Sequence, residues 1–369
     1  MKAIQWIISA LVAVVIIAAA VGGGVYFTRL KSIHSIRKLT DYENYNLYRM
    51  DIDYAYDLDR LIDRGITDNQ SMINAILAEA LPYLPIHMKA PNFGCSAFCT
   101  QGTDGHTLMG RNYDFKNDTS AMLVYCTPKD GYASVAFAAL DNINANTPDA
   151  SMAKKLATLT APFICLDGMN EKGVSIAVLT LDSDPTYQQT GKPMIATTLA
   201  IRLVLDRAAT TAEAVELLSK YDMFASSGRD YHFYITDASG DGRVLEYDCN
   251  DPTPPLTVTP SRSVTNFFVM YKDNVLPNQR NGVYGHGRER YDAIEEILDA
   301  NAGSIDREIA WQALQAASQA PNPQDVTSNT QWSILYDNTA LTAEAVIRRD
   351  WNTKTSYDLV SNVAVTDVG

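Results

Sequence analysis

The chain has few of the residues that build small disulfide-bonded or metal-bound domains. Only five of its 369 residues are cysteines, and its five histidines are scattered, with no ligand spacing and no C-x-x-C motif. Because zinc sites need closely spaced Cys and His ligands, we expect no metal site. An odd number of cysteines argues against a disulfide framework and predicts at least one free thiol.

Four common signatures are also absent: the P-loop, the Rossmann glycine fingerprint, the G-x-S-x-G elbow and H-E-x-x-H. We therefore expect no cofactor. One string, 237–242, resembles part of a calcium loop, but it lacks the terminal glutamate and lies between predicted strands. We interpret it as a hairpin turn.

Positive charge is scarce. The chain has 30 Lys and Arg against 43 Asp and Glu, a formal net charge of −13. A surface this negative repels phosphate backbones, which excludes nucleic acid as a partner. With 46% apolar and 20% charged residues, the composition is that of a globular protein with a sizeable core.

One long apolar run is present, at residues 3–27, which carry no charge. It is long enough to cross a hydrocarbon core of roughly 30 Å. It also exceeds the roughly 7–15 apolar residues of a signal peptide, so we predict a retained single-pass anchor in the bilayer, residues 1–28, with a cleaved signal peptide as the alternative. The basic residues after the run favour a cytoplasmic position for the domain that follows. Single N-terminal anchors nevertheless often export that domain, and we expect it to be extracytoplasmic.

In the rest of the chain, the residue pattern changes at about residue 92 from helical spacing to short strand-like runs. Before it, residues 29–94 form a predicted helical lead segment, with apolar residues at helical spacing in 57–62 and 71–84. After it, helices are predicted at 194–208, 211–221 and 289–299. Strands are predicted at 95–100, 121–126, 133–138, 163–166, 174–181, 231–236, 243–247, 267–270, 332–336, 345–349 and 357–359. Strands and helices in separate blocks predict an α+β layered fold.

Cys95 is the most informative residue. A cysteine at a strand start is usually a small buried apolar residue, but Gly94 precedes this one. Glycine permits the strained backbone that attack by the Cys95 thiol on the preceding carbonyl requires. Cleavage there would leave an amine of pKa about 8 beside the thiol, so base and nucleophile would share one residue. Arg111, on the paired strand, would stabilise the thiolate.

The order of these residues resembles a known family. Cys95 followed by Arg111-Asn-Tyr-Asp114 is similar to the N-terminal-nucleophile (Ntn) amide hydrolases of the choloylglycine hydrolase type, which include penicillin V acylases, bile-salt hydrolases and related linear amide C-N hydrolases. Segments 167–181, 264–266, 290–291 and 332–336 are similar to later parts of the family pattern, in the same order. The resemblance covers about residues 92–360.

The resemblance implies a fold and a domain division. The fold would be an αββα sandwich, two antiparallel sheets between helix layers. The catalytic domain would be residues 95–369, with 29–94 as a propeptide or an α chain that stays bound. Because the nucleophile lies far from the amino terminus, the chain looks like relatives that cut a Gly–Cys bond themselves.

The resemblance also implies roles for five residues. Cys95 would be the nucleophile and, through its freed amine, the general base. Arg111 and Asp114 would orient and stabilise it, with Asp114 accepting a hydrogen bond from the amine. Asn266 would donate its amide to the tetrahedral oxyanion, and Arg290 would hold Asp114.

Two further residues are candidates for the oxyanion site or the pocket. Thr180 occupies a position where bile-salt hydrolases and penicillin acylases carry Asn or Tyr, so this chain departs from their pattern there. Asn170 is the second candidate.

The predicted function is a cysteine hydrolase that cleaves the linear amide bond of an N-acyl substrate through a thioester, after autocatalytic cleavage at Gly94–Cys95. Two alternatives stay open: acyl transfer to an amine, and a non-catalytic, membrane-anchored binding protein. The sequence leaves the acyl chain, the amine and any homo-oligomer undetermined.

Overall fold

The computed structural model of the protein describes residues 23–82, 94–115, 118–280, 282–322 and 329–368. The predicted anchor run, 3–27, lies almost wholly outside them. Across the described ranges, none of the helices combines the length and the apolar character needed to cross a bilayer.

The strands, in chain order, are β1 (Arg37–Lys38), β2 (Leu47–Ile52), β3 (Gly94–Gln101), β4 (Thr107–Asp114), β5 (Ala121–Cys126), β6 (Ser134–Ala139), β7 (Cys165–Asn170), β8 (Ser175–Leu181), β9 (Met194–Ala196), β10 (Asp222–Phe224), β11 (Asp230–Thr236), β12 (Arg243–Tyr247), β13 (Leu256–Pro260), β14 (Ser263–Val264), β15 (Thr330–Asp337), β16 (Thr342–Ile347), β17 (Thr353–Asp358) and β18 (Val363–Val368). The helices are α1 (residues 23–34), α2 (Leu58–Ile62), α3 (Asn69–Ala80), α4 (Met152–Ala157), α5 (Thr197–Arg207), α6 (Thr211–Leu218), α7 (Arg288–Ala300) and α8 (Arg307–Ala317).

Two large sheets organise these strands. The nine-stranded sheet has the order β1-β2-β5-β6-β7-β8-β11-β12-β13, and the seven-stranded sheet has the order β14-β3-β4-β15-β16-β17-β18. Their inner faces share one apolar core, in which Trp332 of the seven-stranded sheet contacts Phe137 of the nine-stranded sheet. The short strands β9 and β10 pair separately.

Helices cover the outer faces. Helix α5 packs on β7 and β8, while α7 and α8 pack on the seven-stranded sheet. A second apolar cluster fills the latter interface, with Phe98 and Leu108 from the sheet against Ile294 and Trp311 from the helices. The layers are therefore helix, sheet, sheet, helix, and the predicted α+β fold is confirmed.

The lead segment differs from its prediction. Helices α2 and α3 lie where the spacing placed them, but β1 and β2 also enter the nine-stranded sheet. Moreover, β2 pairs with β5 in parallel. The expectation that this sheet is antiparallel throughout is therefore wrong at this pair. The strand was missed because Arg49 and Asp51 interrupt its apolar residues. In the structure Arg49 is buried and donates to Asp51 (2.9 Å) and to the carbonyl of Asn362 (3.1 Å).

Smaller differences concern element boundaries. The strand predicted at 267–270 is wrong, because a 3₁₀ helix spans Val269–Asn274 there. The helix predicted at 194–208 begins with β9 and becomes α5 only at Thr197. Helix α8 was not predicted. The turn interpretation of 237–242 is confirmed, since this segment joins β11 to β12 and Asp237 accepts a hydrogen bond from the Ser239 N–H.

Candidate active site

The hairpin formed by β3 and β4 places Cys95 and Arg111 on one face. Cys95 pairs with Tyr113 and Ala97 pairs with Arg111. Because side chains alternate along a strand and paired residues share a face, Cys95 and Arg111 both point between the two sheets. The sequence prediction that Arg111 lies beside Cys95 on the paired strand therefore agrees with the geometry.

Cys95 is completely buried, and burial raises the pKa of its thiol to about 12. The positive charge of Arg111 and its hydrogen bond to the thiol oppose that increase, whereas the negative charge of Asp114 adds to it. Burial has the largest effect. At neutral pH the thiol is consequently protonated.

The carboxylate that faces Arg111 belongs to Asp167, on β7 of the other sheet. The Arg111 Nε lies 3.4 Å from an Asp167 oxygen, and its Nη2 donates to the Val178 carbonyl at 2.7 Å. Asp167 also accepts from Tyr336 (2.6 Å) and Trp332 (3.2 Å), and burial raises the pKa of its carboxyl group. Sequence reasoning did not choose Asp167, although an acid within the buried run of β7 was a usable signal.

Asp114 lies on the opposite face of β4, three residues after Arg111. Its carboxylate accepts from Thr330 (2.6 Å), from Gln319 (2.6 Å) and more distantly from Arg290 (3.4 Å). The predicted contact with Arg290 is present. In the uncut chain, however, Asp114 is not the acceptor for the Cys95 N–H.

That acceptor is Asn266. Strand β14 pairs with β3 through Val264 and Ala97, which brings Asn266 beside Cys95. The Asn266 Oδ1 accepts from the Cys95 N–H at 2.9 Å and from Arg290 at 2.7 Å. Since both neighbours are donors, the amide orientation is fixed, and Nδ2 donates to the Thr180 carbonyl at 2.8 Å. Nδ2 carries a second hydrogen, which could face an oxyanion.

Arg290 connects the cluster to the helix layer. It lies in the first turn of α7, and its Nη1 donates to the Cys95 carbonyl at 2.8 Å. The preceding Gly287 has φ of 87°, and a Cβ there would lie 2.3 Å from the Arg290 Nη2. Glycine at this position thus lets the guanidinium reach Cys95 and Asn266 together.

The two remaining candidates lie at opposite ends of the β7–β8 hairpin, Thr180 near the end of β8 and Asn170 at the end of β7. Thr180 adjoins Asn266, and its Oγ1 is buried with no hydrogen-bond partner among the described residues. Asn170 lies before the turn that opens β8, about 20 Å away along the strand. Its amide donates to the carbonyls of Leu205 and Ala208, so it fastens a turn to α5. The Asn170 amide is thus committed to backbone groups, and its role at the oxyanion site or the pocket stays a prediction.

Cys99, the other cysteine of β3, lacks these surroundings. All five thiols are free, but Cys99 contacts Thr236 at 3.0 Å and has no arginine beside it. Burial raises its pKa to about 11. In the ranges that the structure describes, no group of three or more His, Cys, Asp or Glu side chains is arranged to hold a metal ion.

Comparisons with known proteins agree with the fold. The sequence model of the linear amide C-N hydrolases, choloylglycine hydrolase family, matches residues 95–251, so the match begins at Cys95. Two variants of conjugated bile acid hydrolase from Clostridium perfringens have similar structures, with TM-scores of 0.55 and 0.54 and 15% identity, covering 74% of this chain and 97% of theirs. Penicillin V acylase from Agrobacterium tumefaciens is similar with a TM-score of 0.52 and 17% identity, covering 72% of this chain and 86% of its own.

Proposed function

Because residues 95–251 match the linear amide C-N hydrolases of the choloylglycine hydrolase family, we propose that the chain is a cysteine amidase that cuts its own Gly94–Cys95 bond and then hydrolyses an N-acyl amide. One observation carries the proposal. Cys95, where the family match begins, has its backbone held by Asn266 and Arg290 while Arg111 faces its thiol. A lone structural cysteine needs none of these contacts.

Maturation would begin with attack by the Cys95 Sγ on the Gly94 carbonyl carbon. The peptide C–N bond breaks as the C–S bond forms, which leaves a thioester to Gly94 and a free α-amine on Cys95. Water then hydrolyses the thioester and gives Gly94 a carboxylate. The bond from the Cys95 N–H to Asn266 and the bond from Arg290 to the Cys95 carbonyl would hold the backbone during this attack.

After cleavage the lead segment would stay bound as an α chain, rather than leave as a propeptide. Strand β2 lies inside the nine-stranded sheet, between β1 and β5. Arg29 of α1 donates to the carbonyls of Ala80 (2.7 Å) and Glu79 (2.6 Å) at the end of α3. Loss of the segment would expose the edge of β5 and a large apolar surface, which is costly.

In turnover, the free amine would take the thiol proton and pass it to the leaving amine. The thiolate attacks the substrate carbonyl, the C–N bond breaks, and water then releases the acid from the thioester. The second hydrogen of the Asn266 Nδ2 and the hydroxyl of Thr180 would donate to the oxyanion. Arg111 would stabilise the thiolate.

An N-terminal anchor at residues 3–27 belongs to the same proposal and rests on the sequence alone. It would place the enzyme at a membrane, on the extracytoplasmic side. Fractionation of cells that express the full chain tests it: the prediction is recovery of the protein with membranes after a high-salt wash, and recovery in the soluble fraction would contradict it.

The amidase proposal is tested by amine release from a panel of bile-salt conjugates, phenoxyacetyl amides and long-chain N-acyl amino acids. We expect the wild-type protein to release amine from at least one class, and Cys95→Ala to be inactive and uncut. The matched control is Cys99→Ala, on the same strand, which should keep activity. Amine release by Cys95→Ala would contradict the proposal, and capture of the acyl group by an added amine would indicate transfer instead of hydrolysis.

A further inference from the structure

Two buried side chains of the nine-stranded sheet support the segment that carries Asn266. His232 of β11 and Glu246 of β12 lie next to each other, one position beyond the Phe233–Leu245 pair. Both are completely buried, and neither contacts Cys95 by a hydrogen bond. The sequence analysis predicted a functional role for neither residue.

Their hydrogen bonds hold the segment on both sides of Asn266. The His232 Nε2 lies 2.9 Å from the carbonyl of Thr265, the residue just before Asn266. Because a carbonyl only accepts, Nε2 carries the proton. The Glu246 carboxylate accepts from the N–H of Val269 at 3.0 Å and of Met270 at 2.8 Å. The His232 Nδ1 faces the same carboxylate at 3.5 Å.

The stability of the fold alone does not explain why His232 and Glu246 are buried together. Burying a carboxylate and an imidazole costs desolvation, and apolar side chains of similar volume often stabilise a fold as well or better. The pair instead fixes the direction of one short segment. The Asn266 Oδ1 needs a defined place because it must accept from both Cys95 and Arg290.

We infer that His232 and Glu246 are positioning residues, which hold residues 265–270 so that the Asn266 amide is directed at the nucleophile and the oxyanion. This inference rests on the proposed function, because it assigns the pair a purpose in that reaction. The positioning itself does not depend on that function: without the N–H that residue 232 donates to the Thr265 carbonyl, Thr265 and Asn266 shift.

A pair of variants of similar size isolates the donor. His232→Met removes the N–H, whereas His232→Gln can still donate to the Thr265 carbonyl. At a temperature well below both unfolding midpoints, we expect His232→Met to lower kcat and the rate of Gly94–Cys95 cleavage about tenfold, the worth of one buried hydrogen bond, with KM nearly unchanged. We expect His232→Gln to recover most of the loss. His106→Gln, a histidine far from the site, is the control.

A second measurement does not depend on activity. With asparagine side chains labelled with ¹⁵N, the Asn266 amide signal can be assigned from its loss in Asn266→Asp. We expect His232→Met to move this signal and His232→Gln to restore it. An unmoved signal, or equal losses of kcat in both variants, would overturn the inference. An inactive, uncut wild-type protein whose Asn266 signal still moves would instead contradict the proposed function and keep the positioning role.

Discussion

The two faces of β4 carry opposite charges, which shift the pKa of the Cys95 thiol in opposite directions. Arg111, between the sheets, is neutralised by Asp167 and lowers the Cys95 pKa. Asp114, three residues later, lies on the face of β4 that is directed at the helices. It pairs with Arg290 and raises the Cys95 pKa. The ionisation of the thiol therefore reflects two charges of opposite sign, each set by a partner from a different layer of the fold.

The largest effect should follow from removing the inner charge. Arg111→Met leaves the buried Asp167 without its partner, and we expect a loss of about 3–5 kcal/mol in the free energy of unfolding. The pKa of the Cys95 thiol should rise further by about 1–2 units, because the thiolate loses its nearest cation, so the Gly94–Cys95 cleavage rate at a given pH should fall about tenfold to a hundredfold. Urea titration and cleavage rates between pH 6 and 10 check both parts.

A double variant separates charge from stability in that experiment. Arg111→Met combined with Asp167→Asn removes both charges while the amide oxygen can still accept from Tyr336 and Trp332. It should recover much of the stability and keep the upward shift. A pH profile identical to that of the wild-type protein would remove Arg111 from its role.

The outer charge should act in the other direction. Asp114→Asn removes a negative charge that raises the Cys95 pKa, so this pKa should move downward by about one unit or less, and cleavage at a given pH should become up to about tenfold faster. The variant should lose about 1–3 kcal/mol of stability, because one oxygen of Asp114 accepts from both Gln319 and Arg290. The same pH series measures it, and an upward shift would contradict the contrast between the two faces.

The smallest effect is expected at the other end of the strand, where a partly exposed histidine pairs with a buried carboxylate. His106 lies 2.9 Å from Asp337, just before β4, and this carboxylate raises the His106 pKa above its usual 6.5. Since the folded-state pKa is raised, the stabilisation is complete below about pH 6.5 and is lost as pH rises through the folded-state pKa. We expect His106→Gln to cost less than about 1 kcal/mol at pH 5.5 and nothing at pH 9, by urea titration. An equal loss at both pH values would argue against this ion pair.

Sequence reasoning predicted which residues of the candidate site lie close together better than it predicted their hydrogen-bond partners. The positions of Cys95, Arg111 and Asn266 followed from ordered motifs, and the strands from alternating apolar residues. A separation of three along a strand already places Arg111 and Asp114 on opposite faces. The partner of Arg111, Asp167, is 56 residues away on the other sheet, so only the packing of the sheets reveals it.

Two other features were hidden for similar reasons. Strand β2 is interrupted by charged residues, of which Arg49 is buried and donates to the carbonyl of Asn362, at the far end of the chain. The motif containing Asn170 was recognised, but only the structure shows that its amide binds backbone carbonyls of Leu205 and Ala208. In both cases a contact distant in sequence decided what a local pattern left open.

The mass of the purified wild-type protein tests the central claim most directly. We predict two chains that separate only on denaturation, the second beginning at Cys95, with a thiol that reacts rapidly with iodoacetamide. A single uncut chain whose Cys95 stays unreactive would contradict the account.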